Sequence, residues 1–341
     1  MLRVALALSA FTGKPFAIHN IRSERADPGL KAQHVFCVKG LKQLCNAIVT
    51  GAELGSTSLT FVPGTIEAKT ISLDVGTAGS LTLLLQSLLL PCMVAKKRIR
   101  LKLQGGTDTK WAMPVDYFRD VFLPHMRKYA DITCTVTQRG YYPAGNGIMD
   151  VIIKPKHDQS TIVQAPPINL TEQGTLAHIK GICHAAAALE QQQVAERIAA
   201  AARLVLAVKY PSLPIRIQTQ YCKTVSVGAG ITLIALFQNK YGEINDFNPV
   251  ILGADAQGEK GKPAEAVGKE AAQKLLFELA TDACTDQHLA DNLIPFMALH
   301  PPSQISTSVI TNHTRTNIHV VEQFLPVTFA IEGNRISCLA K

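Results

Sequence analysis

The residues with the clearest potential for chemistry lie in the segment from Thr311 to Leu325. It places His313 among hydroxyl, amide and arginine side chains, directly before a run with the apolar spacing of a helix. At such a loop-to-helix junction, backbone N–H groups and polar side chains converge on an anion. Neutral imidazole can also attack phosphorus near pH 7 without losing a proton first. The alternative is a surface histidine beside a helix cap, and this segment alone does not separate the two.

Two further segments carry cations or hydrogen-bond donors at the ends of predicted elements. Arg22 and Arg25 follow a predicted strand, and arginine forks suit phosphate oxygens, although a solvated basic loop explains the same pattern. Residues 288–292 open a predicted helix with polar side chains at 288, 291 and 292. N-capping explains part of that polarity, and binding of an anion or a nucleotide at the helix N-terminus would explain the rest.

Two more segments are unusual for their surroundings. Gln86 lies inside an otherwise apolar helical run, so it needs a buried partner, either a protein group or a ligand. The run 139–147 joins two predicted strands with more glycine and aromatic residues than a hairpin requires. Its tyrosine and proline faces can stack on a base, but a rigid Tyr-Pro turn accounts for the composition equally well.

Composition limits the possible classes of protein. A chain of 341 residues with 47% hydrophobic and 18% charged residues is globular and long enough for two or three packed units. No apolar stretch is long enough to cross a bilayer, because Gln86 and Pro91 interrupt the richest one, 81–94. The net charge of +8 suits a polyanion such as nucleic acid or nucleotide, though many proteins carry as much. The eight cysteines are scattered without zinc spacing, as expected for reduced core residues of a cytoplasmic protein.

One pattern of elements, helix–strand–helix–strand–strand, occurs three times along the chain. The first copy is predicted at Leu2–Phe11, Phe16–Arg22, Gln33–Ala47, Ile48–Leu54 and Ser58–Pro63. The second is predicted at Ser80–Ala95, Lys97–Gln104, Val115–Ala130, Asp131–Gln138 and Met149–Lys154. The third is predicted at His288–Leu299, Gln304–Val309, Asn317–Leu325, Val327–Ile331 and Arg335–Ala340. Repeated α+β units of this size predict small sheets, each with helices on one face.

Extra material between the second and third copies has the content of a small α/β domain. Its strands are predicted at 177–183, 215–221 and 231–238, and its long Ala-rich helix at 190–208. The chain is therefore predicted to comprise a three-repeat domain, 1–173 and 264–341, and an inserted domain, 174–263. Residues 253–263 are predicted as a hinge loop, because no register of a phosphate-binding loop fits them.

The front of the chain is the second irregularity. The second copy is preceded by a strand, Thr70–Val75, and a glycine turn, whereas the first copy begins directly in its helix. The first unit is therefore expected to lack its opening strand. An unpaired sheet edge there would favour dimerisation or instability.

Seven short motifs stand in order along the chain. They are Asn20-Ile21-Arg22, Pro28-Gly29-Leu30 with Gln33-His34, Gly105-Gly106-Thr107-Asp108, Tyr142-Pro143-Ala144-Gly145, Gly261-Lys262-Pro263-Ala264-Glu265, Leu289-Ala290-Asp291, and His313 with Thr316-Asn317. Together they resemble the RNA 3′-terminal phosphate cyclases, and the resemblance covers essentially the whole chain. It implies an α+β fold of three βαβαββ units, like the C-terminal domain of a translation initiation factor, with a small α/β domain inserted before the third.

The resemblance implies an ATP-dependent enzyme that acts on RNA 3′-phosphate ends with a divalent metal, Mg or Mn. His313 would attack the α-phosphorus of ATP to form a histidine–AMP phosphoramidate and release pyrophosphate. The adenylyl group would pass to the RNA 3′-phosphate, and the neighbouring 2′-hydroxyl would then displace AMP to leave a 2′,3′-cyclic phosphate. Each step is an in-line displacement at phosphorus, so positioning and charge neutralisation should dominate catalysis.

The resemblance also assigns roles residue by residue. His313 is similar to the nucleophile, and Asp291 to the carboxylate that lies beside it and orients it or the metal. Nucleotide contacts are implied for Gln86, Pro143, His288, Leu289, Ala290, Asp291 and Asn292. Arg3, Arg22, Arg25 and His34 resemble the phosphate- or RNA-binding set. No residue is assigned as a metal ligand.

Two departures from the family pattern keep other functions open. Position 288 is histidine where the family often has an aromatic residue that stacks on adenine. The family usually begins with a strand and a Gly-Glu-Gly-Gly-Gly-Gln segment, whose glutamate serves the metal and nucleotide, and this sequence starts just after that point. A noncatalytic branch of the family acts in ribosome assembly and lacks the nucleophile; His313 argues against that branch, and the missing glutamate argues for impaired activity. A third possibility, a protein that binds RNA ends without turnover, is supported only by the net positive charge.

Overall fold

Residues 2–62 form three strands and two helices in the computed structural model, which describes residues 1–341. The elements are α1 (Leu2–Thr12), β1 (Phe16–Ile18), α2 (Ala32–Cys45), β2 (Ile48–Thr50) and β3 (Leu59–Val62). β3 pairs antiparallel with both β1 and β2. The strand predicted at Phe16–Arg22 ends four residues early, because Asn20 and Arg22 adopt left-handed backbone angles, φ 55° and 56°, that turn the chain.

Residues 70–155 form a four-stranded sheet and the most buried helix. The elements are β4 (Thr70–Asp74), α3 (Leu81–Met93), β5 (Ile99–Gly105), α4 (Val115–Tyr117), a π-helical turn (Phe118–Phe122), α5 (Leu123–Met126), β6 (Ala130–Gln138) and β7 (Gly147–Pro155). The strand order is β4-β5-β7-β6, with β4 and β5 parallel and the other pairs antiparallel. Every residue of α3 except Gln86 is buried, as expected for a helix that is apolar on all sides.

The chain then forms a second layer with a core of its own. After β8 (Asn169–Leu170), which pairs with a strand near the end of the chain, the elements of this layer are β9 (Thr175–Ala186), α6 (Val194–Lys209), β10 (Ile215–Cys222), β11 (Ala229–Gln238), β12 (Ile251–Gln257) and α7 (Ala264–Leu279). Apart from β8, these strands form a sheet of order β10-β9-β11-β12, in which only β9 and β10 run parallel. α6 and α7 pack on each other and on this sheet.

The second core includes residues beyond the segment 174–263. α7 packs in it, against α6, β11 and β12. The prediction of a loop at 253–263 was wrong for its first half, which is strand β12. A side chain at Gly253 would clash with the ring of Tyr117, so this position requires glycine. Glycine has a low β-propensity, and the strand was therefore not recognised from the sequence.

The final elements complete the main core. They are α8 (Gln287–Met297), β13 (Ser303–Ser306), α9 (Asn312–Phe324), β14 (Val327–Glu332) and β15 (Arg335–Ala340). Their sheet has the order β14-β15-β13-β8, with β13 and β8 parallel. α3 packs on α1 and α2, α1 also contacts α9, and α9 contacts α8, so these five helices form one connected group. No helix of the chain combines the length and apolar character needed to span a bilayer, and all eight cysteines are free, six of them buried.

A buried histidine allows this packing to be tested by pH. His125 is 1% exposed, its Nε2 has no hydrogen-bond partner, and burial lowers the pKa of the imidazole from 6.5 to about 3. Below pH 6.5 the unfolded chain takes up a proton here and the folded chain does not, so stability falls as the pH drops toward 3. Between pH 7 and pH 4, the free energy of unfolding of the wild type should fall by up to about 3 kcal/mol more than that of His125→Leu.

Urea unfolding at pH 7, 5 and 4 measures this difference. His19→Leu, which changes an exposed histidine, should keep the pH dependence of the wild type. Identical pH profiles for His125→Leu and the wild type would show that His125 is hydrated or paired, contrary to the packing described above.

Candidate active site

His313 is the second residue of α9 rather than part of the preceding loop. Thr311 Oγ1 accepts a hydrogen bond from Thr314 N at 3.0 Å, and Thr314 Oγ1 accepts one from Thr311 N at 3.2 Å. This reciprocal cap starts the helix at Asn312, so the predicted start at Asn317 was wrong by five residues. The His313 side chain is exposed in the first turn, where the helix dipole and free N–H groups favour a negative charge.

Asp291 fixes this first turn against α8. Its Oδ1 accepts hydrogen bonds from Thr311 Oγ1 at 2.6 Å and from Thr314 Oγ1 at 2.5 Å. Its backbone oxygen accepts a third from Asn317 Nδ2 at 2.8 Å. Burial raises the pKa of Asp291, against the opposing effects of the two hydroxyl groups and of the nearby His313. The carboxylate therefore positions the turn that carries the histidine, and its hydrogen bonds go to the two threonines rather than to the imidazole.

A line of amide groups continues from Asp291 across the core helices. Asn292 Oδ1 accepts a hydrogen bond from Gln86 Nε2 at 2.7 Å, and Asn292 Nδ2 donates to the backbone oxygen of His288 at 2.6 Å. On the other side, Arg3 Nε donates to Gln86 Oε1 at 2.8 Å. The partners that Gln86 required are thus protein groups, and they connect the predicted residues on α8, α3 and α1.

Arg3 leads into a cluster of cations around the start of α2. His34 Nδ1 accepts a hydrogen bond from Lys31 N at 3.0 Å. Burial, followed by the charges of Arg3 and Arg22, lowers the pKa of His34 to about 4, so this imidazole is neutral at pH 7. Arg22 has a buried Nε without a hydrogen-bond partner. Arg25 is exposed, makes no side-chain hydrogen bond or ion pair, and is not among the charges that act on His34.

Asp286, which the sequence argument missed, caps α8. Its Oδ1 accepts hydrogen bonds from His288 N and Leu289 N, both at 2.9 Å, and from Tyr117 Oη at 2.6 Å. Its Oδ2 accepts one from Gly253 N at 2.9 Å. An aspartate directly before a predicted helix is a recognisable N-cap signal, so this role was available from the sequence.

The other residues implied as nucleotide contacts are placed differently from one another. Leu289 and Ala290 are fully buried, and their N–H groups bond to Asp286, so in this conformation they pack α8 rather than face a ligand. His288 is exposed at the start of the helix. Pro143 is exposed, and its backbone oxygen accepts a hydrogen bond from Ala78 N at 3.3 Å, which places it at the N-terminal end of α3.

Two acids near His288, the buried Glu278 and the half-buried Asp255, also escaped the sequence argument. Burial raises the pKa of Asp255 to about 6 and that of Glu278 to about 7, while the nearby His288 opposes both shifts. They lie on β12 and α7, elements that the sequence prediction did not include. Acids with such raised pKa values are often found near functional sites.

One buried group of residues has the spacing of a metal site. Ligand atoms of Asp108, Asp116 and His184 lie within 4.8 Å of one another. Arg139, however, donates to Asp108 Oδ2 at 3.0 Å and to Asp116 Oδ2 at 2.6 Å. Because Arg139 bonds to both carboxylates and Arg119 donates a further hydrogen bond to Asp116, this cluster does not fit a divalent metal. It is an ion-pair network that joins β9 of the second core to the main body.

Three mixed sheets and one antiparallel sheet, with a histidine at a helix N-terminus and cations nearby, define an α+β protein with a site suited to anions. A family model described as RNA 3′-terminal phosphate cyclase matches residues 1–331. Proteins named RNA 3′-terminal phosphate cyclase from Pyrococcus abyssi and Pyrococcus furiosus are 41% and 40% identical over 334 residues, 98% of this chain and 92% of each relative. One from Archaeoglobus fulgidus is 37% identical over 338 residues, 98% of this chain and 95% of the relative. The chain therefore belongs to the RNA 3′-terminal phosphate cyclase family, which confirms the resemblance seen in its motifs.

His34 reports on whether an anion binds in the cation cluster. A bound phosphate would offset the positive charges of Arg3 and Arg22, so we expect inorganic phosphate to raise the pKa of His34 above its value of about 4. An NMR titration of the histidine ring protons, with and without phosphate, measures this change. Arg22→Ala should raise the pKa by itself and weaken the response to phosphate. A pKa of His34 that is insensitive to saturating phosphate would contradict anion binding at this cluster.

Proposed function

We propose that this chain is an ATP-dependent RNA 3′-phosphate cyclase in which His313 is the nucleophile that accepts AMP. The observation that carries the proposal is the position of His313, which is exposed on a helix N-terminus whose first turn is fixed by Asp291. Family membership supports the same conclusion, because relatives about 40% identical bear the name RNA 3′-terminal phosphate cyclase.

The proposed reaction proceeds through three displacements at phosphorus. An imidazole nitrogen of His313 attacks the α-phosphorus of ATP, an N–P bond forms, and the bond to the β-phosphate oxygen breaks to release pyrophosphate. An oxygen of the RNA 3′-phosphate then attacks the same phosphorus and frees His313. Finally the 2′-hydroxyl attacks the 3′-phosphorus, gives up its proton, and AMP leaves. The balance is RNA 3′-phosphate and ATP in, cyclic phosphate, AMP and pyrophosphate out.

The surrounding residues have distinct proposed roles. Arg3, Arg22 and His34 would bind phosphate oxygens, because they form a cationic cluster with a spare buried donor at Arg22 Nε. Gln86 and Asn292 connect that cluster to Asp291, so that the two parts of the site move as one. Pro143 and His288 would flank the adenine as the family resemblance implies.

A divalent ion, Mg or Mn, stays a prediction. The residues fixed at His313 include one carboxylate, Asp291, whose Oδ1 already accepts two hydrogen bonds. Mg²⁺ at phosphate-transfer sites typically takes one or two protein carboxylates and otherwise substrate phosphates and water. Such an ion would neutralise charge on the phosphates when bound, and the roles given above to this chain's residues do not depend on it.

We also infer how the chain is organised around this site. The two four-stranded sheets β4-β5-β7-β6 and β8-β13-β15-β14 have the same order and the same strand directions. Strands β1, β3 and β2 match three of those positions. This supports three copies of one βαβαββ unit, with an inserted α/β domain that begins near residue 174 and, by its packing, includes α7.

Covalent labelling tests the proposal. Incubation with ATP labelled at the α-phosphate, with magnesium or manganese, should give an acid-labile, alkali-stable protein–AMP adduct. His313→Ala should reduce this label to background, because no other group is proposed to bond to phosphorus. His319→Ala, which changes an exposed histidine on the same helix, should leave labelling unchanged.

The same assay separates the proposal from a noncatalytic function. A folded wild-type chain that never becomes labelled, and never cyclises a 3′-phosphorylated RNA, would overturn the enzyme proposal. Labelling that survives in His313→Ala would overturn the choice of nucleophile.

A further inference from the structure

The only tryptophan of the chain, Trp111, is almost completely exposed. Its side chain is 97% accessible to solvent, and its backbone has a left-handed φ of 65°. A bulky residue rarely adopts this conformation, and large aromatic side chains are seldom left fully in water. Both features carry a cost, so the position calls for a compensating interaction that the chain itself does not provide.

Two contacts to the second layer hold the loop that carries Trp111. Gln257 Nε2 donates to the backbone oxygen of Thr109 at 3.0 Å, and Lys110 Nζ lies 2.8 Å from Glu259 Oε2. The two residues directly before Trp111 are thus tied to β12 and to the turn that follows it. The tryptophan is presented outward by an anchored loop.

A second exposed aromatic side chain lies on the neighbouring loop. Tyr142 is 77% exposed. Its loop is joined to the one with Trp111, because the N–H groups of Thr107 and Asp108 both donate to the backbone oxygen of Gly140, and Asp108 bridges to Tyr141. Two aromatic side chains on adjoining loops therefore face solvent at the same end of the β4–β7 sheet.

Strand β12 connects these loops to the candidate active site. At one end Gly253 N donates to Asp286, which caps the helix of His288, and at the other end Gln257 holds Thr109. Four residue steps of a strand span about 13 Å, so the loop with Trp111 lies a few nucleotides' length from the start of α8. An RNA whose 3′ end reaches His313 has to leave the site across nearby surface.

We propose that Trp111, with Tyr142 beside it, is a stacking platform for bases of the single-stranded RNA that leads to the reacting 3′-phosphate. This inference rests on the proposed function. The flat aromatic faces sit among polar neighbours such as Thr109 and Lys110, so they suit a nucleobase better than an extended apolar surface of a protein or a lipid. Because every base offers a π-face, the platform would bind RNA with little sequence preference.

The fluorescence of Trp111 provides a direct test, since no other tryptophan contributes to the signal. Titration with a single-stranded RNA that ends in a 3′-phosphate, without ATP, should quench the emission. An oligomer of the same length with abasic sites in the last positions should bind through its phosphates and quench far less. Quenching by ATP alone, equal to that by RNA, would assign the platform to adenine of the nucleotide and overturn the proposal.

Substitutions measure what the platform contributes to affinity. Trp111→Ala should weaken binding of the same RNA roughly 5- to 150-fold, the range for loss of one stacked base. Trp111→Phe, which keeps a smaller π-face, should lose less than Trp111→Leu, which keeps apolar area without one. Tyr241→Ala, which removes an exposed aromatic residue in the second layer, should bind RNA as the wild type does.

Labelling of His313 with AMP in the same variants separates the two proposals. Trp111→Ala should be labelled at the wild-type level, because Trp111 is not among the residues proposed to contact ATP. If His313 is labelled in the wild type and Trp111→Ala binds RNA unchanged, the platform is refuted and the cyclase proposal stands. If RNA quenches Trp111 and His313 is never labelled, the platform stands and the enzyme proposal fails.

Discussion

The geometry of the site depends on the buried carboxylate of Asp286. It accepts four hydrogen bonds, two from the first turn of α8, one from Tyr117 and one from Gly253. These donors belong to three parts of the chain that are far apart in sequence. Loss of the carboxylate would leave several buried donors unpaired, each at a cost of about 1–3 kcal/mol. The direction of α8, and with it the position of Asp291, is thereby set from both cores.

Helix α8 shows how one element serves the core and the site together. Leu289, Leu293 and Ile294 are fully buried, whereas Asp291 and Asn292 lie where they can bond to α9 and α3. The apolar side chains fix the rotation of the helix, because turning it would expose them to water. The polar residues at intervening positions are thus held in fixed directions by the packed core. The Gln86 amide has a hydrogen-bond partner on each side, Arg3 and Asn292.

Apolar periodicity predicted the helices and strands of the main body with small errors at their ends, except for the two-residue strand β8, which it missed. It failed where a local polar contact or a close approach overrides the pattern. Capping by Thr311 and Thr314 starts α9 five residues before its apolar run, and Asn20 and Arg22 end β1 by a change of backbone angle. β12 was missed because its Gly253 is required by the nearby ring of Tyr117, which is distant in sequence and cannot be inferred from a local pattern. The site residues came from the family resemblance, and the hydrogen bonds that link them came only from the fold.

The electrostatics of the site are shaped by what the fold keeps neutral. His34 is held neutral beside Arg3 and Arg22, because burial disfavours the charged imidazole and the two arginines repel a third positive charge. Near His288 the fold disfavours negative charge instead, since burial raises the pKa of Glu278 to about 7 and that of Asp255 to about 6. At neutral pH these two acids are therefore partly protonated, which reduces their repulsion of a polyphosphate. The cations remain fully charged under the same conditions, so the field across the site favours an anion without requiring many arginines.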